Sequence, residues 1–342
     1  MIKVSEYVSL GHPDKVADYI SQYLLDRYIE KDPDTRYAVE VQIKGYNVTL
    51  GGEVTSKCIF TIHEIERYVC EAVNDIGYTR EYVNRWGIEN AICGDMLSVH
   101  CYISQQSPDI AQGLKGWGDQ GIFFGYSNNS QVTHGMPLEH HLAKEICKGL
   151  FESGLGGLDI KTQVITQYEI PKKVIVAIPL LKDTDFVPVQ AFVRKYVPID
   201  CEIIINGTGR YVQHSTIADC GTTGRKLAVD FYGGACCIGG GSPWTKDGSK
   251  ADLTLNLYAR QLARQFAEEY NREVYVSLAC CIGKQDVEVS VCDSTDKILY
   301  EGKCTLDPAE LRKQFELDKP IFASMCRWGL FGKYQQDKQW EQ

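Results

Sequence analysis

Apolar Val16, Ile20 and Leu24 recur at helical spacing behind Pro13, a residue suited to a first helical position because it has no N–H to leave unpaired. The spacing predicts a helix that starts at the His12-Pro13 step. Tyr37, Val39, Val41 and Ile43 then alternate with Ala38, Glu40, Gln42 and Lys44, and Gly45 turns the chain into a second apolar run over 46–50. Period two on both sides of a turn residue predicts an antiparallel hairpin with Glu40 on its polar face. Ile62, Ile65, Val69, Val73 and Ile76 predict a second amphipathic helix, and 99–103 a short strand. Glycine-rich 105–121 marks a connection between packed units. Beyond it the pattern predicts a helix over 137–151 and strands over 164–168, 174–178 and 203–205. A second glycine-rich zone covers 207–241 and contains a predicted strand at 227–231. Ala251, Leu255, Tyr258, Leu262 and Phe266 share one helical face, with Ser249 and Asp252 spaced as a capping box. Strands at 274–279 and 287–291 follow. Sheet-plus-helix patterning thus recurs three times, an α/β (α+β) arrangement, with domains expected at 1–103, 112–214 and 215–342.

Composition narrows the function classes. The chain has 342 residues, 44% hydrophobic and 24% charged, enough for a sizeable core and too little charge for disorder. The formal charge of −9 disfavours a duplex-binding surface, so no nucleic-acid partner is expected and any anion site must be local. The longest apolar stretch, 174–181, is broken by Pro179 and falls far short of the ~20 residues that cross a bilayer. Lys3, Ser5 and Glu6 interrupt any apolar middle of a secretory signal, so a cytoplasmic protein is expected. Fourteen cysteines without a C-x-x-C spacing, in a chain with no sign of secretion, are expected as reduced thiols rather than disulfides or zinc ligands.

The segment 116–121 matches G-x-G-x-x-G, but it neither follows a strand-like run nor opens a helix, and no G-x-x-x-x-G-K-[ST] occurs. A nucleotide would have to be held by side chains. Two helix starts offer them. Gly11-His12-Pro13-Asp14-Lys15 sets an imidazole, a carboxylate and an ammonium beside free backbone N–H groups, where an anion is favoured, although a cap and a first-turn acid are also ordinary there. Lys246-Asp247-Gly248-Ser249-Lys250-Ala251-Asp252 repeats the combination and reads equally as surface charge. Between them lies Asp219-Cys220-Gly221-Thr222-Thr223-Gly224-Arg225-Lys226, where adjacent Arg and Lys offer a planar fork and a point charge to phosphate. Asp159-Ile160-Lys161 could supply another cation.

In this order, Ser5-Glu6 through Lys15, Gly51-Gly52-Glu53, Gln106-Ser107-Pro108-Asp109-Ile110, Gly118-Asp119-Gln120-Gly121, Lys161-Thr162-Gln163, Thr223-Gly224-Arg225-Lys226 and Gly239-Gly240-Gly241 resemble the motifs of S-adenosylmethionine synthetases (methionine adenosyltransferases). The resemblance runs from about residue 5 to about 292, with an echo at 328–333. It implies three similar units about a pseudo-threefold axis with exchanged segments, and a homodimer, or beyond it a tetramer, with active sites between subunits. It also implies ATP and L-methionine as substrates and Mg²⁺ and K⁺ as cofactors. By similarity, His12 contacts the oxygen leaving C5′, and Lys15, Lys161, Arg225, Lys226 and Lys246 surround the phosphates. Asp14 and Asp252 hold Mg²⁺, and Glu40 serves K⁺. Glu53 and Asp219 approach the methionine ammonium, Lys250 its carboxylate, and Gln106 lies on a gating loop. Tyr211 and Ile282 flank adenine, although both would also suit a core, and Asp119 and Asp159 belong to the nucleotide side.

This sequence departs from the family pattern at Gln213-His214-Ser215-Thr216, where typical members have Ile-Gly-Gly-Pro, and at Ile238, where they have His. The gating loop, the central unit after Ile178 and the C-terminal region also read as short. Two rival readings follow: a catalytically degenerate paralogue acting as a nucleotide-binding regulatory subunit, and a tripolyphosphatase that has lost transfer.

Overall fold

The computed structural model describes residues 1–105 and 116–342. Strand β1 (Ile2–Val8) leads into α1 (Pro13–Lys31), which starts where the sequence predicts, with His12 as its N-cap. The predicted hairpin is β2 (Arg36–Lys44) and β3 (Asn47–Thr55), antiparallel throughout and turned at Gly45, whose φ is 56°. Helices α2 (Ile62–Ile76) and α3 (Arg80–Trp86) follow, then β4 (Ser98–Ser104), parallel to β3. Next come β5 (Gly121–Ser127), α4 (Leu138–Ser153), β6 (Lys161–Gln167), β7 (Ile170–Ala177), α5 (Val187–Arg194) and β8 (Glu202–Ile205). The final third holds α6 (Ser215–Ala218), β9 (Gly221–Thr222), α7 (Leu227–Asp230), α8 (Ala251–Tyr270), β10 (Val274–Cys280), β11 (Asp286–Asp293), β12 (Ile298–Thr305), α9 (Pro308–Gln314) and α10 (Phe322–Cys326).

The strands form three four-stranded sheets, ordered β4-β3-β2-β9, β1-β6-β7-β8 and β12-β11-β10-β5. Each takes one strand from a distant stretch of chain: β9 pairs with β2, β1 with β6, and β5 with β10. Helices α1 and α2 cover the first sheet, α4 the second and α8 the third. Inward residues of the second sheet, Val164, Val174 and Val176, pack with Ala143, Ile146 and Leu150 of α4 in a core of their own. The other two sheets share a core with α1, α2 and α8. Each fully buried Val, Leu or Ile contributes about 1.5–3 kcal/mol relative to exposure, which fixes which face of every sheet turns inward.

Two local expectations fail. Leu227–Asp230 form the short helix α7, with Phe231 just after it, rather than a strand over 227–231. Val229 enters the second core and Phe231 the shared one, while Asp230 between them is drawn to Lys15. The capping box expected at Ser249 and Asp252 is absent: Lys250 is the N-cap of α8, and Asp252 turns to other partners. A capping box does form on α2, where Thr61 Oγ1 accepts the Glu64 N–H at 3.3 Å and Glu64 Oε2 accepts the Thr61 N–H at 2.8 Å. Among the described residues all fourteen cysteines are free, and no helix is long and apolar enough to cross a membrane.

Candidate active site

Three stretches of backbone meet at the start of α1. A β-carbon on Gly11 would fall 2.4 Å from the Leu158 carbonyl oxygen, and one on Gly221 would fall 2.1 Å from that of Pro13. Only glycine permits such approaches. They bring the lead into β6 and the 219–226 segment onto the first helical turn, and Asp14 joins the pieces. Its Oδ1 accepts the Thr222 N–H at 2.9 Å, its Oδ2 accepts from Lys226 Nζ at 2.6 Å, and Arg225 Nε stands 3.8 Å from Oδ1. Burial pushes the Asp14 carboxyl up, but the Lys226 and Thr222 hydrogen bonds and the Lys226 charge outweigh it and hold the group below its usual range.

His12 is 7% exposed and accepts the Asp14 N–H at Nδ1, 3.2 Å away. Burial, then the Lys226 charge, lowers its pKa to about 3; Lys161 adds to the lowering, while Asp14 and Asp219 oppose it. The ring is neutral at pH 7, and because Nδ1 accepts, its proton sits on Nε2. Lys161 at the head of β6 and Asp219 thus lie within electrostatic reach of His12.

Glu40 links this group to a second one. On the polar face of β2, it accepts hydroxyl protons from Thr223 and from Thr245, the latter at 3.0 Å. The Thr245 carbonyl accepts the Val39 N–H at 3.0 Å, and Lys246 bridges to Ala38, so the chain before α8 runs along β2. Lys246 pairs with Asp252, whose Oδ1 also accepts the Gly241 N–H at 2.7 Å. Glu53 on β3 lies opposite the same Ala38. Asp119 and Asp252 both bear on the Cys280 thiol at the end of β10, which burial first of all raises. Lys250 caps α8 two residues before Asp252, and Ile282 is 50% exposed just after β10. Among the described residues neither Lys161 nor Lys250 has a salt-bridge partner.

Lys15 stands apart from the other cations. Its Nζ is buried, 2.8 and 2.9 Å from the Asp230 oxygens, 3.2 Å from Asp18 Oδ2 and 4.7 Å above the Trp244 ring. Asp18 accepts the Gly224 N–H at 2.9 Å and Asp230 accepts from Trp244 Nε1 at 2.8 Å, so Lys15 supports the 222–226 segment from behind. Sequence reasoning missed Asp18, Asp230, Trp244 and both threonines. Only Asp18 carried a local signal, one helical turn beyond Asp14 on the same face. On the opposite flank, Asp159 Oδ2 accepts the Ser215 N–H at 3.0 Å. Burial raises Asp159 to about 7, against the Ser215 bond and the Lys161 charge. Tyr211 adjoins it: after burial, the charges of Asp159 and Tyr82 raise its phenol. Gln106 lies outside the described residues.

Two family models match this chain: the N-terminal domain of S-adenosylmethionine synthetase over residues 1–108, and its C-terminal domain over 214–342. The S-adenosylmethionine synthase of Clostridium tetani is 33% identical over 385 aligned positions, covering 98% of this chain and 95% of that protein. That of Pseudothermotoga lettingae is 33% identical over 392 positions, with the same shares of 98% and 95%. A solved structure described as an unusual S-adenosylmethionine synthetase from Campylobacter jejuni matches with a TM-score of 0.88 at 29% identity, over 100% of this chain and 96% of that one. These matches take in every segment that builds the site, and the chain belongs to the S-adenosylmethionine synthetase family.

Proposed function

We propose that the chain works as a methionine adenosyltransferase, joining the sulfur of L-methionine to C5′ of ATP and then cleaving the expelled tripolyphosphate with water to phosphate and diphosphate. The observation that carries this reading is the meeting of His12, Asp14, Arg225 and Lys226 at one helix start, with Lys161 paired to Val8 on the strand that leads into it. A thioether is a neutral nucleophile with nothing to deprotonate, so the step depends on in-line positioning and on stabilising the leaving polyphosphate. Lys161, Arg225, Lys226 and Lys246 serve that charge, with Lys15 acting through Asp18 and Asp230. His12, neutral with its proton on Nε2, donates a hydrogen bond to the oxygen leaving C5′ as charge builds there, without having to transfer a proton. Glu53 and Asp219 attend the methionine ammonium and Lys250 its carboxylate. Tyr211 and Ile282 flank adenine, and Asp119 and Asp159 contact the nucleoside.

Among the described residues no three His, Cys, Asp or Glu side chains form a cage for a metal ion. Mg²⁺ keeps several waters and takes one or two carboxylates together with substrate phosphates, so it needs no such cage. Asp14 and Asp252 would hold it, and Glu40 with the Thr223 and Thr245 hydroxyls offers an oxygen-only environment to K⁺. Bound Mg²⁺ would supply charge neutralisation to the polyphosphate. We read the molecule as a cytoplasmic homodimer of three-unit chains, divided near 1–103, 112–214 and 215–342, with active sites between the subunits.

Purified protein given ATP, methionine, Mg²⁺ and K⁺ should yield S-adenosylmethionine, detected as the sulfonium by mass spectrometry. Asp14→Asn and Lys161→Ala should each lower turnover by about 100-fold, roughly 2.7 kcal/mol of barrier. Unchanged turnover in both variants defeats the site assignment, and the lack of sulfonium product at any salt concentration defeats the activity.

A further inference from the structure

Behind Asp159 lies an aromatic cluster to which the mechanism above gives no role. Tyr78, Tyr82 and Trp86 enclose His214, which is 1% exposed, with the Trp86 and Tyr82 rings 4.9 and 5.7 Å away and nearly perpendicular to it. Both nitrogens of His214 are engaged. Nδ1 lies 2.6 Å from the Val212 carbonyl oxygen, which can only accept, so Nδ1 carries the proton. Nε2 lies 2.6 Å from Tyr82 Oη and accepts its proton. Tyr82 Oη in turn accepts the Leu158 N–H at 2.9 Å. One chain of hydrogen bonds therefore runs from Leu158 through Tyr82 and His214 to Val212. It ties the residue before Asp159 to the residue after Tyr211.

The Ser215 N–H on Asp159 closes this connection into a ring. Ser215 holds a φ of 56°, an unfavourable conformation for a residue with a β-carbon, which its neighbours impose. Arg225 and Lys226 are anchored elsewhere, on Asp14. The ring thus bears on the Asp159 end of the site and not on Arg225 or Lys226, and Lys161, two residues beyond Asp159, is the phosphate cation nearest to it.

We propose that His214 and Tyr82 are positioning residues for the nucleoside half of the substrate: they set the spacing of Tyr211 and Asp159, and with it the affinity for the adenosine part of ATP, while the polyphosphate half works independently of them. The proposal deepens the reading of the preceding subsection and rests on it. The halves can be assayed apart, because tripolyphosphate carries the phosphates without a nucleoside. In the full-length chain, His214→Phe and Tyr82→Phe should raise the KM for ATP by about tenfold. Hydrolysis of added tripolyphosphate, which also reports that the variants are folded, should stay unchanged. His214→Gln, which keeps an acceptor for Tyr82, should recover part of the loss. An unaltered KM for ATP in both variants overturns the proposal. So does a parallel loss of tripolyphosphate hydrolysis, which marks a merely structural role. If the unsubstituted chain forms no S-adenosylmethionine, the underlying reading falls first and takes the proposal with it.

Discussion

A histidine shut away from water gives up its charge, and His140 does so on α4. Ser5 Oγ lies 2.9 Å from its Nδ1, while its buried Nε2 has no partner among the described residues. Burial, helped by Lys144, lowers its pKa to about 3, and burial lowers His214 to about 4 against the Val212 bond. Both folded values lie below the ordinary value near 6.5. The stability they contribute is therefore whole above that pH and is lost as pH falls toward 4, at up to about 1.4 kcal/mol per pH unit for each ring. The urea midpoint should drop between pH 7 and pH 5, and less steeply in His140→Gln; equal slopes in variant and parent would show the ring charged in the native protein. Single residues were readable from sequence where they broke a local pattern, as His12, Asp14 and Lys226 do. Asp230 was not, since its meaning comes from Lys15, 215 positions away. No local rule separates an acid with such a partner from one on the surface.

Elements show the same division. Helix α2 and the β2-β3 hairpin were legible because each buries one regular stripe or face. Helices α1 and α8 were legible from apolar residues at helical spacing, although α1 is buried on nearly every side and Tyr258, Leu262 and Phe266 of the expected α8 face are only partly buried. Strand β5 was not, because its partner β10 arrives some 150 residues later in the chain and the preceding glycines gave no strand signal. The short helix α10 was equally hidden, since its start is stabilised from another element: Asp26 of α1 accepts the Phe322 and Ala323 N–H groups, both at 2.9 Å. Asp26 is 3% exposed, so truncation leaves two donors buried without partners. Asp26→Ala should cost about 2 kcal/mol or more, and Asp26→Asn, which keeps one acceptor oxygen, about half of that. Denaturant midpoints equal to the parent's in both variants would show that water or another group takes over the cap.

At the scale of the molecule, Arg260 fastens the last residues to the third sheet. Fully buried on α8, it donates to Glu341 from Nη2 at 2.7 Å and from Nε at 2.9 Å, and its other donors reach the carbonyls of Tyr126, His134 and Gly135. Glu341→Ala leaves a guanidinium uncompensated in the interior, and a loss of about 3–5 kcal/mol is expected in chemical denaturation. Arg260→Met combined with Glu341→Leu should lose less, and a double variant as unstable as the single one would put the cost on packing rather than charge. The exchanged strands carry a further consequence, for biosynthesis. While the ribosome is still reading the middle of the message, the hairpin lacks β9, and β5 waits with Phe123 and Tyr126 uncovered for a neighbour not yet translated. Sheets completed so late leave sticky edges open in the nascent chain, so this polypeptide should lean on chaperones during translation, and its separated halves should aggregate when made alone yet rescue each other when co-expressed.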